Sequence, residues 1–218
     1  MKHFLFLLLF IFAENIILGQ NFEGKISYWV DYQNNKTHKY DTSLTIGLGN
    51  IEMFYIKNGD FLITGNGLKK DWILYKNSTN KIYEKYKNND TLYVIDAGVN
   101  NDTILDTWHH KTSAKITSTV NGVKKIRTEK YKEFVFNLNG RMEYFYYYKG
   151  KYKVDSKLFA SFKREHFGNF LAISNCLPAI RNYDTEGFNC NKNANYFTPE
   201  KLDDKLFEIP SGLIMKSK

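Results

Sequence analysis

Proline is scarce in this sequence, and its absence from most of the chain favours a continuous β-sheet. The three prolines are Pro178, Pro199 and Pro210, so the first 177 residues contain none. Proline cannot donate a backbone hydrogen bond to a neighbouring strand and is therefore kept out of sheet interiors. A long proline-free stretch suits an uninterrupted hydrogen-bonded sheet.

The sequence also lacks the short motifs that identify common enzyme classes. It contains no Gly-x-Ser-x-Gly nucleophile elbow, no His-Glu-x-x-His pair, no phosphate-binding glycine loop and no Gly-x-Gly-x-x-Gly fingerprint. Asp203 and Asp204 are neighbours in the sequence, and a turn or helix cap explains them better than an acid–base pair does. We therefore predict a protein that is not an enzyme and that uses no cofactor.

Cysteine is equally rare, because Cys176 and Cys190 are the only two. In an exported protein such a pair most often forms a disulfide, and closing this short loop would stabilise the fold by about 3 kcal/mol. One alternative is a pair of buried free thiols. Another is a nucleophile pair of Cys176 with His166, which no motif supports. The disulfide is our prediction.

Histidine is too sparse to predict a metal site. Among the five histidines are the neighbours His109 and His110, which follow Trp108, with Asp102 and Asp106 upstream. Adjacent residues of a strand point to opposite faces, so the two imidazoles cannot chelate one ion from a regular strand. The cysteine and histidine spacing of a structural zinc site is missing as well. We interpret this stretch as an exposed loop and predict no metal.

Long hydrophobic runs are missing except at the N-terminus. Lys2 and His3 precede an apolar run at residues 4–13, and a small residue, Gly19, precedes Gln20. A membrane-spanning helix needs about 20 apolar residues, so residues 1–20 are predicted to be a secretory signal peptide. Residues 21–218 are then a single domain without a transmembrane segment. We expect it to be exported to the periplasm or the cell exterior, where association with the outer membrane is open to it.

Acidic residues are too few to balance the basic ones, and the formal net charge is +8. For an exported protein this charge favours an anionic envelope surface as a partner and disfavours nucleic acid. The alternative is that the lysines lie on solvent-exposed faces and strand edges and keep a sheet protein soluble. The densest basic region contains Lys124, Lys125, Arg127, Lys130, Lys132, Lys149, Lys151, Lys153, Lys157, Lys163 and Arg164.

Asparagine–glycine pairs, in contrast, are frequent and predict antiparallel hairpins. A two-residue turn at Asn58-Gly59 would place Ile56 opposite Phe61 and Phe54 opposite Ile63, so that apolar residues face each other. The other three pairs are Asn66-Gly67, Asn121-Gly122 and Asn139-Gly140. Strands are predicted at residues 22–32, 42–48, 51–57, 60–64, 68–76, 81–87, 91–97, 112–120, 123–128 and 167–174.

Residues 131–163 are the most aromatic part of the chain and predict a central hairpin followed by a short helix. A three-residue loop at 138–140 would place Phe136 opposite Met142 and Phe134 opposite Tyr144, whereas a two-residue loop would place Phe136 opposite Glu143. A one-residue slip turns every side chain to the opposite face, so burial favours the longer loop. Residues 155–162 are predicted to form the helix, which would present Leu158, Phe159 and Phe162 on one side.

Several segments of the chain resemble a family of exported proteins of unknown function, the DUF4412-like proteins, which are allied to the GLPGLI proteins. The segments are residues 22–26, 153–163, Leu177-Pro178 and 201–212, the last with the sequence KLDDKLFEIPSG. The resemblance implies an open β-barrel like that of the LolA/LolB lipoprotein carriers. One departure is that residues 128–134 contain a tyrosine but not the Gly-Tyr-x-Cys often found there. The resemblance implies no catalytic residues.

These observations predict one curved antiparallel sheet, a half-barrel, with one or two short helices on its concave face. We expect a non-enzymatic envelope protein that binds a lipid or another hydrophobic ligand in the cavity of the sheet. The alternative is a structural or interaction protein that acts through a basic, tyrosine-rich surface; a third possibility, a hydrolase of envelope polymers, rests on the expected location alone. The predicted ligand-binding residues are Phe134, Phe136, Tyr144, Tyr146, Leu158, Phe159 and Phe162.

Overall fold

The structure, a computed structural model, describes residues 21–99, 104, 106–120, 123–138, 141–185 and 187–218. The predicted signal peptide, residues 1–20, lies outside this range. The strands of the described residues are β1 (Gly24–Asn34), β2 (Ile51–Lys57), β3 (Asp60–Gly65), β4 (Lys70–Lys76), β5 (Lys81–Tyr86), β6 (Thr91–Asp96), β7 (Asp106–Val120), β8 (Val123–Asn137), β9 (Met142–Tyr147), β10 (Ile180–Asp184), β11 (Phe188–Pro199) and β12 (Ile214–Ser217). The helices are α1 (Thr42–Leu48) and α2 (Phe167–Ser174), with short 3₁₀ helices at Asn77–Thr79, Ser156–Phe159, Arg164–His166 and Asp204–Phe207.

All these strands belong to one sheet, in the order β12-β6-β5-β4-β3-β2-β1-β11-β10-β9-β8-β7. Neighbouring strands are antiparallel except β12 and β6, which are parallel. The sheet is not closed into a barrel, so β12 and β7 form its edges. The predicted mainly-β fold with a single open sheet is therefore confirmed, and the parallel edge pair is an addition that the sequence did not indicate.

The hairpin of β2 and β3 has the predicted register. Ile56 lies opposite Phe61 and Phe54 opposite Ile63. Asn58 and Gly59 between them have φ values of 50° and 88°. Two consecutive positive φ values are what a type I′ turn requires, and asparagine and glycine adopt them most readily. Here the local turn chemistry and the burial pattern agree, and the prediction is confirmed.

The central hairpin of β8 and β9 has a different register from the predicted one. Phe136 lies opposite Glu143 and Phe134 opposite Phe145. Leu138 and Arg141 exchange backbone hydrogen bonds of 2.8 and 3.4 Å, which leaves two residues between them. The predicted three-residue loop is therefore wrong, and the side chains of β9 face opposite to expectation.

The buried residues of β9 are Glu143, Phe145 and Tyr147, at 3%, 0% and 4% exposure. Tyr144 and Tyr146 alternate with them and so lie on the other face of the sheet. The predicted register was wrong because a glutamate on the core face is costly unless a partner neutralises it. Arg181 on the neighbouring strand β10 removes that cost by binding the carboxylate of Glu143.

Two segments with predicted strands are helices in the structure. In α1, the carboxylate of Asp41 accepts a hydrogen bond from the backbone N–H of Leu44 at 2.9 Å and caps the helix. In α2, Phe167, Phe170 and Leu171 are buried at the i, i+3, i+4 spacing of a helix face. Both predictions of strands at 42–48 and 167–174 are wrong.

The segment from the 3₁₀ helix at Ser156–Phe159 to α2 lies across the sheet and shows how strongly the sheet curves. The ring of Phe162 contacts that of Tyr75 on β4 at 4.7 Å, and the ring of His166 contacts that of Phe136 on β8 at 5.4 Å. Strands β4 and β8 are seven strand positions apart in the sheet, and in a flat sheet the distance between them would be about 34 Å. Residues four apart in sequence reach both, so the sheet curls around this segment, as predicted.

The opposite, convex face is covered in part by the C-terminal segment. Leu202 and Phe207 pack against Leu74, Tyr83 and Leu92 in a second apolar cluster. The carboxylate of Asp203 accepts a hydrogen bond from the N–H of Lys205 at 3.0 Å, so of the predicted turn or cap the structure has the cap. The residues of the 201–212 segment thus stabilise the fold from outside the curve.

Candidate functional site

A cavity of about 230 Å³ lies on the concave face between β1–β4, the start of α2 and strands β10 and β11. Side chains at alternate positions of the strands form its wall, because alternate residues of a strand point to one face. Phe54 and Phe61 stack at 5.1 Å and pack on Phe167. The apolar part of the wall includes Val30, Phe54, Ile63, Ile73, Phe162 and Phe167.

The register of β3 and β4 leaves two aliphatic side chains facing the cavity. Ile63 lies directly opposite Ile73, and both are half-buried and border the open space. Most other apolar side chains of this face are fully buried against one another, including Ile26, Phe145 and Phe170. The cavity therefore borders a part of the face whose apolar side chains are fully buried.

The side of the cavity formed by β2 and β11 carries a partly buried ion pair. The Lys192 ammonium lies 2.7 Å from a carboxylate oxygen of Glu52. The two side chains, 16% and 19% exposed, meet across β1, which separates their strands. Burial opposes the charge on Lys192, but the carboxylate of Glu52 outweighs burial and raises the pKa of Lys192.

Arg181 on β10 continues this charged wall. Its Nε donates to Glu143 and its Nη1 to Glu165, both at 2.8 Å, and its guanidinium lies over the rings of Phe145 and Tyr183 at 5.2 and 4.8 Å. Burial alone would lower the pKa of Arg181, but the two carboxylates raise it well above its usual value. Arg181 is therefore a permanent cation within the core face.

Glu165 occupies an unusual backbone conformation beside this cation. Glu165 and His166 have φ values of 52° and 53°, a left-handed conformation that costs a non-glycine residue about 1–3 kcal/mol. Burial would raise the pKa of Glu165, but Arg181 and then Lys192 lower it to about 2. Its side chain is 57% exposed, so solvent screens much of this attraction. The strained turn directs Glu165 to the rim of the cavity.

The cavity combines apolar side chains with a few charged groups. Aliphatic and aromatic side chains with a few converging polar groups are typical of small-molecule sites. The thiol of Cys190, two residues before Lys192 on β11, is fully buried, and burial raises its pKa, which keeps it protonated and weakly nucleophilic at neutral pH. In the described ranges, no three histidine, cysteine, aspartate or glutamate side chains are grouped so that they could hold a metal ion.

No family model matches this sequence, and a comparison with curated proteins finds no match. The resemblance to DUF4412-like proteins and to the LolA/LolB carriers therefore stays a prediction. Within the part of the chain that the structure covers, no helix is long and apolar enough to cross a membrane.

The structure separates most of the predicted ligand-binding residues from the cavity. Phe162 is the one that lines it. Three others, Phe134, Phe136 and Phe159, are 5%, 1% and 1% exposed and fill the core, and Leu158 packs partly buried against that core. Tyr144 and Tyr146 lie on the convex side because of the register of β9.

The remaining candidates also differ from the sequence predictions. Cys176 and Cys190 are both buried free thiols. The predicted disulfide is therefore wrong, and the alternative of two buried thiols is the one that the structure shows. His109 and His110, interpreted as part of an exposed loop, lie on strand β7. Asp102 is outside the described residues.

The charged residues of the cavity were missed by sequence reasoning, although one signal was available. Glu52 lies two residues before Phe54 and four before Ile56 on β2, so its side chain points to the same face as these two buried residues. A charged residue in a core-facing register is costly unless a partner neutralises it, so it marks a paired or functional position. Arg181 and Lys192 had no such signal, because the sequence pattern predicts neither β10 nor β11. β11 is rich in asparagine, which is uncommon in strands.

Proposed function

We propose that this protein binds a small apolar or amphipathic molecule, such as a lipid fragment, in the cavity on its concave face. The supporting observation is a cavity of about 230 Å³ whose wall is largely apolar on one side. An engineered apolar cavity of about 150 Å³ is enough to hold benzene, and sites for larger ligands span about 300–1,000 Å³. The cavity therefore suits a short-chain ligand or one end of a longer acyl chain.

The proposal includes an exported, non-enzymatic role in the cell envelope. It rests on the basic head, apolar run and small residue of residues 1–20, which are typical of a secretory signal peptide. Proteomic detection of a mature N-terminus at or beside Gln20 in the envelope or the medium would support export. A protein that keeps Met1 and stays in the cytoplasm would contradict it.

Filling the cavity is expected to abolish binding. In Ile73→Trp the larger side chain occupies the open space, so we expect the affinity for 1-octanol to fall at least tenfold, measured by isothermal titration calorimetry. The matched control is Ile214→Trp, which makes the same exchange at a position that is 60% exposed on β12. It should bind like the wild type. Absence of octanol binding by the wild type, or equal binding by both variants, would contradict the proposal.

A second candidate function is contact with an anionic surface through the lysines at the β7 edge. Lys111 lies directly opposite Lys132 in the pairing of β7 with β8, and like charges opposite each other destabilise a sheet. Partial burial lowers the pKa of Lys132, and the charges of Lys111 and Lys149 lower it further. This crowding of positive charge at the edge of the sheet would be relieved by an anionic partner.

The triple variant Lys111→Gln/Lys132→Gln/Lys149→Gln tests this second function. Lysines near an anionic bilayer contribute about 1 kcal/mol each, so losing three should weaken binding to phosphatidylglycerol vesicles roughly a hundredfold at low salt. Vesicle co-sedimentation measures this loss. The control, Lys36→Gln/Lys39→Gln/Lys216→Gln, removes the same charge from exposed positions away from that edge. Equal losses in the two variants would show a net-charge effect and contradict a dedicated surface.

A further inference from the structure

The wall of the cavity is divided into an apolar side and a charged side. Ile63 and Ile73, paired across β3 and β4, form the apolar side, away from the charged residues at the start of β4. Glu52, Lys192 and Arg181, together with Glu165, form the side made by β2, β11 and β10 and the strained turn before α2. A ligand that fills this cavity therefore meets hydrocarbon on one side and hydrogen-bonding groups on the other.

The charged groups that line this side of the cavity balance one another. Each of its two cations lies within hydrogen-bond distance of a carboxylate that also lines the cavity: Lys192 of Glu52 at 2.7 Å, and Arg181 of Glu165 at 2.8 Å. Behind them Arg181 also binds Glu143, which is only 3% exposed. The cluster thus has as many carboxylates on the cavity wall as cations, and one more carboxylate behind the wall.

Two further charged residues border the cavity at the start of β4. Lys70 lies 3.4 Å from the buried carboxylate of Glu84 on β5, and Asp71 follows it in sequence. Together they add one positive and one negative charge to the lining. The lining as a whole therefore has no net charge.

A balanced, partly buried set of ion pairs discriminates between head groups. An ionised head group would lose its hydration on entry, and the three cations of the wall and the carboxylates of Glu52 and Glu165 are already engaged by closer partners. A neutral head group with a donor and an acceptor loses less hydration and still bonds the outer lone pairs of Glu52 and the remaining N–H groups of Lys192. The wall therefore favours hydroxyl and amide groups over ions.

We propose that the cavity selects a neutral, hydrogen-bonding head group, an alcohol or an amide, on a short hydrocarbon chain, and that the Glu52–Lys192 pair sets this selectivity. The inference rests on the proposed binding function and specifies its ligand class. The volume of the cavity alone would allow any hydrocarbon chain of suitable length, whatever its head group.

Four ligands with the same number of carbon atoms test the selectivity: 1-octanol, octanamide, octanoate and octylammonium. At pH 7 we expect the two neutral ligands to bind the wild type at least tenfold more tightly than either ion, as measured by calorimetry at constant ionic strength. A wild type that binds octanoate or octylammonium as tightly as octanol would overturn the inference and leave the proposed function intact. Failure of all four to bind would overturn both.

Variants of the ion pair should change the preference in opposite directions. Glu52→Gln removes the carboxylate that engages Lys192, so octanoate should gain at least tenfold relative to octanol. Lys192→Met exposes the carboxylate of Glu52 and should favour octylammonium to a similar extent. The double variant Glu52→Gln/Lys192→Met is neutral again and should keep the preference for octanol. Because the single variants differ in the sign of the change, a general loss of structure cannot produce this pattern.

A control pair lies on the surface. Glu200 binds Lys25 at 3.0 Å outside the cavity, and Glu200→Gln removes the same charge as Glu52→Gln. It should leave the order of the four ligands unchanged. If Glu200→Gln raises octanoate binding as much as Glu52→Gln does, overall charge decides the preference and the assignment to the Glu52–Lys192 pair is overturned.

Discussion

Replacement of Phe145 by alanine is expected to lower the free energy of unfolding by about 3–5 kcal/mol, the range found for large-to-small changes of buried phenylalanines. The ring of Phe145 is fully buried. It stacks on Phe170 of α2 at 4.4 Å with an interplanar angle of 10°, packs against Phe136 at 5.9 Å, and lies beneath the guanidinium of Arg181. The substitution removes all these contacts at once and leaves a cavity that the surrounding rings cannot fill.

The neighbouring residue provides the control and tests the strand register directly. Tyr144 lies on the opposite face of β9 and is half-buried, so Tyr144→Ala should cost about 1 kcal/mol or less. Urea denaturation followed by circular dichroism measures both changes. The register predicted from the sequence places Tyr144 in the core, and it would give the reverse order. A larger loss for Tyr144→Ala than for Phe145→Ala would therefore contradict the structure of this hairpin.

Replacement of Arg181 by methionine is expected to cost about 3–5 kcal/mol, because it removes one partner of a buried ion pair. The side chains of Arg181 and Glu143 are 11% and 4% exposed, so water cannot take over the role of the guanidinium. Both Glu143 and Glu165 lose the cation that they contact. Methionine keeps much of the apolar part of the arginine side chain. The expected decrease in the free energy of unfolding therefore comes mainly from the lost charge and not from lost side-chain volume.

The double variant Arg181→Met/Glu143→Met separates the two sources of the effect. If the loss in Arg181→Met comes from an uncompensated carboxylate, the second substitution should restore most of the stability, since an apolar pair often replaces a buried ion pair at little cost. The same denaturation experiment gives the coupling energy. A double variant as unstable as Arg181→Met would show that the arginine acts through packing and would contradict the electrostatic explanation.

Features that depend on neighbouring residues could be predicted from the sequence. The hairpin at Asn58-Gly59 has the predicted register because a two-residue turn and an alternating apolar pattern are both local and agree. The cap at Asp203 is likewise local, since its partner N–H lies two residues away. The absence of proline before Pro178 correctly indicated an extended sheet.

Two errors came from reading short apolar segments without their partners. Residues 167–174 contain apolar residues that suit either a strand or a helix, as short segments often do. The helix is favoured because it buries residues at i, i+3 and i+4 against the sheet, where Phe170 contacts Phe145 and Phe167 contacts Phe61. These contacts cannot be read from residues 167–174 alone. In the central hairpin, the cost of placing Glu143 in the core could be judged only with Arg181, which lies 38 residues away.

The sequence by itself determined the class of the fold, one predominantly antiparallel sheet with short helices, because turn chemistry and the period of two act over a few residues. The tertiary structure alone decided which residues form the cavity. Glu52 and Lys192 are 140 residues apart and meet because β1 lies between their strands. Their attraction, and the gap that they border, arise from the order and curvature of the strands. A pattern of neighbouring residues carries no information about either.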